Sequence, residues 1–179
     1  MNVVLPSRRL VLIAGTVLLS IALALGIPWL SPKRGVERVW ADSLAALADN
    51  KLDDFATYLD PNYHDGFGLD REGALALAKT IRGHFILCTI TREQPELVLD
   101  PGKQSATSRA IIRLGGQGSP VASAAIQASA ASDTHTLFRW RRASWKPWDW
   151  KLIAVDNTDA ARGVSQLQRE LGSFGAGLP

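Results

Sequence analysis

Apolar and polar positions along the chain follow three rhythms in turn. From Leu10 to Leu30, LVLIAGTVLLSIALALGIPWL, no residue is charged and no polar face interrupts the run. From Val36 to about Gly83, apolar residues recur every three or four positions, the spacing of an amphipathic helix. From Phe85 onward the period is two, the spacing of a half-buried strand. The third rhythm ends in Thr134 to Val155, THTLFRWRRASWKPWDWKLIAV, which holds four of the six tryptophans.

The middle regime predicts three helices. Ser31-Pro32 is a helix start, because serine caps free amides and proline tolerates the first helical position. Val36, Val39, Trp40, Ser43, Leu44 and Leu47 then form one apolar-leaning stripe, and the helix ends near Asn50. A second, shorter helix runs from Asp53 to Leu59, with Phe55, Tyr58 and Leu59 facing inward. It closes at Asp60-Pro61, since the residue before proline avoids helical angles. The turn-rich segment Asn62 to Gly68, NYHDGFG, follows. Asp70 caps a third helix, with Glu72 in its first turn where the dipole favours an acid. Leu75, Ala78 and Ile81 continue it to about Gly83.

The last regime predicts a sheet. Phe85 to Asp100 forms a strand with a bulge or break at Pro95, and Pro101-Gly102 turns the chain. Ser105 to Leu114 alternates cleanly, and Gly115 to Pro120 is expected as a loop. Val121 to Ala131 is rich in Ala and Ser. Under a period of two, Ala122, Ala124, Ile126, Ala128 and Ala130 share one small-residue face suited to close packing. Two further strands follow, joined by a loop at about Arg142–Lys146. Phe138 and Trp140 share a face of the first, and Trp148, Trp150, Leu152 and Ala154 share a face of the second. Thr158 to Leu171 is expected as a short helix, and the remaining tail as mobile.

The first regime sets the expected compartment. A helix needs roughly 20 apolar residues to cross a bilayer, and Leu10 to Leu30 meets that length. Arg8 and Arg9 precede the run, and Trp29 near its far end suits the headgroup region. One reading is an uncleaved signal anchor with a short cytoplasmic segment at residues 1–9. The other is a cleaved signal peptide ending at Ala22-Leu23-Ala24. The run continues past Ala24 to Leu30, which favours the anchor. The expectation is a single-pass protein of the cell membrane with its domain, residues 31–157, on the extracytoplasmic side.

Composition adds three limits. Hydrophobic residues make up 46% and charged residues 21%, which suits a globular fold and argues against disorder. Charge is unevenly placed: Val36 to Asp100 holds 12 acids and 6 bases, whereas Pro101 to the end holds 10 bases and 5 acids. Such a dipolar domain argues against nucleic acid as a partner. The single cysteine, Cys88 in the apolar run FILCTI, excludes an internal disulfide and reads as a buried small hydrophobe.

Three stretches then carry a resemblance: LAALADNKLDDFATYLDPNYHD (Leu44 to Asp65), GLDREGALALAK (Gly68 to Lys79) and WDWKLIAVD (Trp148 to Asp156). A first helix, a short Asp-containing break, a second helix ending at proline and a last strand of the form Trp-Lys-Ile resemble the nuclear transport factor 2-like superfamily. That superfamily includes the SnoaL-type polyketide cyclases and the ketosteroid isomerases. The resemblance covers about Val36 to Asn157. It implies an α+β fold in which three helices pack on a curved antiparallel sheet to form a cone, here preceded by a transmembrane helix. The Ala/Ser stretch departs from the usual pattern. Enzymes, carriers and interaction modules share this scaffold, so the resemblance does not by itself choose among them.

Enzymes of this cone place an Asp, His or Tyr inside the pocket as acid or base. The available groups here are Tyr58, Tyr63, His64, Asp65, His84, Asp133 and His135. The pocket candidates are Tyr58, Tyr63, His84, Trp140 and Trp150, with His84 at the junction of the third helix and the sheet. No catalytic residue is assigned, because no spacing matches an acid–base signature. Three histidines without clustered carboxylates predict no metal site, and no cofactor is expected. Arg139, Arg141, Arg142, Lys146 and Lys151, interleaved with tryptophans, read as a solvated strand face, with anionic lipid headgroups as the functional option near a bilayer. The expected function is non-catalytic binding or envelope assembly. The expected partners are the membrane, through the N-terminal helix, and an envelope protein or a second copy of the chain. The layout resembles assembly factors of type IV secretion. The alternative is a carrier of a small hydrophobic ligand, or a SnoaL-like enzyme using a His/Asp pair.

Overall fold

A computed structural model describes residues 31–157. The expected anchor at residues 10–30, the segment before it, and the short helix and tail at residues 158–179 lie outside the described residues. Among the described residues, no helix is long and apolar enough to cross a membrane.

Four helices and a four-stranded antiparallel sheet follow in the order α1 (Pro32–Ala48), α2 (Leu52–Tyr58), α3 (Arg71–Gly83), β1 (Phe85–Leu99), β2 (Ser105–Gly118), α4 (Pro120–Ala131), β3 (Thr136–Arg142), β4 (Trp150–Asp156). The strands lie side by side in chain order. The first three helices arise where their spacing predicts them. α1 buries Val36, Val39, Trp40, Ser43 and Ala46 along one stripe, and Ser43 Oγ donates to the Trp40 carbonyl instead of facing the core unpaired. It ends at Ala48, and Asn50 just beyond its C-cap Asp49 has a φ of 60°, the left-handed stop that Asn tolerates. α2 buries Phe55, and α3 is capped by Asp70, whose carboxylate accepts from the Gly73 amide at 2.8 Å.

The main core lies between these helices and the concave face of the sheet. Trp40, Phe55, Leu59, Phe138, Trp140, Trp150 and Leu152 meet there. The Trp40 and Phe138 rings sit 5.3 Å apart at a tilt of 53°, and the Arg92 guanidinium lies 4.4 Å over the Trp40 ring. Trp140 donates its indole N–H to Ser108 Oγ at 2.8 Å, and Trp150 donates to the Pro147 carbonyl at 2.9 Å.

The two edges of the sheet differ. Along β4, the chain after α2 lies down as an irregular cover: the amides of Asp60, His64 and Gly66 donate to the carbonyls of Leu152, Ile153 and Val155. Asp60, 2% exposed, accepts two bonds from Arg141 and one from the Asn62 amide, which clamps this cover to β3. β1 pairs with β2 on one side only. Register shifts interrupt that pairing between Phe85 and Leu87 and between Glu93 and Glu96, the second at the expected position of Pro95.

The structure corrects the expected sheet in four places. Ala122, Ala124, Ile126, Ala128 and Ala130 belong to a helix, α4, and to no strand, so the cone carries a fourth helix. The cause is local. Ser119 caps the Ala122 amide, Pro120 takes the first helical position, and alanine is the strongest helix former. Gly115 to Gly118 continue β2 instead of forming a loop. Gly116 permits this with a φ of 123°, and a Cβ there would fall 2.0 Å from the Leu87 carbonyl oxygen. Trp148 precedes β4, because Pro147 and the turn after it delay the strand to Trp150. Asp133 and His135, expected to share a strand face with Leu137, lie instead in the link before β3, with Asp133 paired to Arg113 at 3.2 Å.

α4 has a definite task. β3 pairs with β2 only from Ser105 to Ala110, which leaves the far half of β2 without a strand beside it. α4 fills that place. Ser129 Oγ accepts from the Leu114 amide, and Arg113 donates to the carbonyls of Ser129 and Ser132 at 2.5 and 2.6 Å, closing the helix C-terminus. Ala122, Ala125 and Ile126 pack with Phe85, Cys88, Ile90 and Leu114 into a second, smaller cluster.

Candidate functional site

Between the main core and this second cluster the cone is not filled. A cavity of about 290 Å³ opens there, walled by Phe55 and Leu59 of the α2 region, Leu77 and Ile81 of α3, and Phe85 and Ile90 of β1. Leu114, Leu152 and Val155 complete the sheet side, and Phe67 and Leu69 come from the turn before α3. The α3 residues reach it because Leu77, Ala78 and Ile81 share one helical stripe above the sheet.

Two polar side chains sit among these apolar walls on the same short turn: Tyr63 and Asp65, both buried. The Tyr63 hydroxyl donates to Asp65 Oδ2 at 3.0 Å. The other carboxylate oxygen accepts from the amides of Phe67 and Leu69 at 2.9 and 2.8 Å, so Asp65 folds the turn around itself. Burial pushes the Tyr63 phenol far above its usual value of 10.0, and the adjacent Asp65 charge pushes the same way. Tyr63 therefore stays protonated and committed to Asp65. Three donors converge on Asp65: the Tyr63 hydroxyl and the amides of Phe67 and Leu69.

Arg82 also borders the cavity. Its guanidinium donates to the Ala48 carbonyl at 3.2 Å and the Phe85 carbonyl at 2.6 Å, tying α1, α3 and β1 together. Cys88 lines the wall as a buried thiol, pushed up by burial and pulled back by Arg82. The polar groups at the cavity are thus bonded to the protein itself, and the surface facing the space is hydrocarbon.

Of the five pocket candidates, Tyr63 alone lines this cavity. Tyr58 is half-buried against the outside of the core, its phenol raised by burial and by Asp42 and Asp54. Trp140 and Trp150 lie in the main core with their indole nitrogens bonded. His84 follows α3 as its C-cap and faces the other way, with Nδ1 3.2 Å from Ser119 Oγ at the start of α4. The structure does not bring His84 and Asp65 together at the cavity. His64 is exposed in the cover over β4. Sequence reasoning left Asp65 outside the pocket candidates. Its signal was Asp65-Gly66-Phe67-Gly68-Leu69, in which an aspartate precedes amides it can bond two and four residues on.

A second, more open cleft of about 530 Å³ lies between α2 and the start of α3. Its cations are engaged: Arg71 donates to the Ala56 carbonyl at 2.9 Å and Lys151 to the Thr57 carbonyl at 2.6 Å. Among the described residues, no group of His, Cys, Asp and Glu is placed to hold a metal ion.

Helices packed over a curved antiparallel sheet around an apolar cavity also describe a set of solved structures. Residues of this chain superpose on a nuclear transport factor 2-like protein of unknown function from Pseudomonas putida with a TM-score of 0.50, at 10% identity over 69% of this chain and 82% of that one. The fold is the nuclear transport factor 2-like cone. A cystatin-like-fold protein of unknown function from Nostoc punctiforme matches with a TM-score of 0.51 and 10% identity, over 70% of this chain and 88% of that one. Bd1075 of Bdellovibrio bacteriovorus matches with a TM-score of 0.52 and 11% identity over 69% of this chain, which spans 39% of that protein's length. Identities this low show the nuclear transport factor 2-like fold alone. No family model matches the sequence, and no curated protein matches it.

Proposed function

We propose that this chain is a membrane-anchored, extracytoplasmic binding domain whose cone holds a small apolar molecule without transforming it. The observation that carries the reading is the chemistry of the cavity wall. Ligand pockets are mostly apolar with a few polar groups that fix orientation, and about 300 Å³ is the lower end of their usual size. Here the space is about 290 Å³, and Tyr63, Asp65 and Arg82 at its border are already bonded to each other or to the backbone. A general base must reach the proton it removes, and Asp65 is held by three donors while His84 is turned toward Ser119. That arrangement supports binding over acid–base chemistry. The uncharged run from Leu10 to Leu30 supports the anchor, while Arg8 and Arg9 before it and Lys33 and Arg34 after it leave little charge difference across it.

The test is native mass spectrometry of the full-length chain extracted gently from membranes. The expected result is a reproducible extra mass that a solvent wash with a competing short-chain fatty acid displaces. Ala78→Leu, which adds bulk to the cavity wall, is expected to abolish the extra mass while leaving the circular dichroism spectrum unchanged. A bare chain, in wild type and variant alike, overturns the ligand reading and leaves protein assembly as the role.

A further inference from the structure

The β3–β4 loop presents two tryptophans to solvent although nothing about the loop is loose. Trp145 is 82% exposed and Trp148 is 48% exposed. The backbone between them is fixed from several sides. The Arg142 guanidinium donates to the carbonyls of Trp145 and Lys146. The Ala143 amide donates to the Asp149 carbonyl at 2.8 Å, and the Asp149 amide to the Lys146 carbonyl at 3.2 Å. Pro147 is buried, its carbonyl taken by the Trp150 indole. A fixed loop that holds large apolar rings in water is built for contact with something else.

Its neighbour is the first turn of α1. Gly35 packs so closely on Pro147 that a Cβ there would fall 2.1 Å from the Pro147 carbonyl oxygen. Lys33 and Arg34 are exposed on the same turn, Lys146 is exposed in the loop, and none of the three forms an ion pair among the described residues. The one acid of the loop, Asp149, lies 3.9 Å from Lys151. Immediately before this turn, at Leu30, the uncharged run ends. In sequence, Gly35 follows the end of that run by five residues.

We infer that the β3–β4 loop and the first turn of α1 together form a docking surface for an anionic bilayer. Trp145 and Trp148 enter the headgroup region, and Lys33, Arg34 and Lys146 meet lipid phosphates. Indoles favour that region because one end of the ring is apolar and the other bonds to water. Basic side chains within a Debye length of anionic lipid, about 8 Å at physiological salt, add attraction at each site. The inference rests on the anchor proposed above. A tether ending beside the loop holds the loop at high effective concentration at the bilayer, so weak contacts suffice.

The experiment reconstitutes the full-length chain into vesicles of phosphatidylcholine and phosphatidylglycerol whose acyl chains are brominated, and reads tryptophan quenching. It compares wild type with the double variant Trp145→Phe, Trp148→Phe, which keeps apolar rings and removes the two fluorophores. Trp29, Trp145 and Trp148 are the indoles expected at the bilayer, so the quenched amplitude of the double variant should fall to about a third of wild type. In vesicles of phosphatidylcholine alone, the wild-type amplitude should fall toward that of the variant. Flotation of the same vesicles reports the anchor separately. A chain that floats with equal quenching in wild type and variant overturns the docking surface and leaves the anchor standing. The exposed tryptophans would then face a protein. A chain that fails to float overturns the anchor and the docking surface with it.

Discussion

Trp140 and Trp150 are sealed in the core with their indole N–H groups bonded, while Trp145 and Trp148, in the loop between the same two strands, stand in solvent. One hairpin thus uses the same side chain in opposite ways. The difference follows from position. On β3 and β4 the alternating period aims Trp140 and Trp150 at the concave face, where α1 and α2 cover them. In the loop that period stops, and Arg142 and Pro147 set the backbone instead. A buried indole removes roughly 150–250 Å² from water, so the core pair contributes to stability and the loop pair contributes almost nothing to it.

Truncating the core pair is the strongest way to break the comparison. Trp140→Ala is expected to destabilise the chain by about 3–5 kcal/mol, since it opens a cavity and leaves the buried Ser108 hydroxyl without its donor. Denaturant unfolding of the full-length chain in mild detergent measures it, and a loss below about 1 kcal/mol would show that the site collapses around the gap. Gly35→Ala tests the junction between the two pairs. The new methyl group meets the Pro147 backbone, and the expected cost is about 1–3 kcal/mol as the loop and α1 shift apart. Such a shift should also lower the vesicle quenching of Trp145 and Trp148. The smallest effect belongs to Trp145→Ala, which should stay within about 0.5 kcal/mol of wild type in the same melts. A larger loss would mean that the exposed ring supports the fold.

The two Ser-Pro sites show how much of the fold was legible. Ser31-Pro32 and Ser119-Pro120 carry the same helix-start signature, and both begin helices. The first was legible because Val36, Val39 and Trp40 make an apolar stripe that only a helical period explains. The second was obscured because alanine and serine differ too little in hydrophobicity to show a period, so Ala122 to Ala130 satisfied a strand pattern equally well. Propensity decided where periodicity was silent. At the site, Tyr63 was legible as a pocket residue, but the turn that binds Asp65 to two amides depends on the backbone angle, a φ of 79°, that Gly68 permits. His84 and the core tryptophans illustrate the remaining gap. Position along a helix or strand shows which face a residue takes, but not whether that face meets a cavity, a neighbouring ring or another helix.

The cover over β4 bears on how the chain reaches this state. Lys151 bonds to the Thr57 carbonyl across 94 residues, and the amides of Asp60, His64 and Gly66 are satisfied only by carbonyls of β4. The first helices are therefore completed by the last strand. A chain made or exported from its N-terminus keeps the cover from Asp60 to Gly66 without its carbonyl partners until β4 arrives. Contacts this distant in sequence cost loop-closure entropy before they return any burial, and they slow folding. The cover thus stays unpaired longest, and folding closes when Trp150 to Asp156 pairs with β3 and meets it.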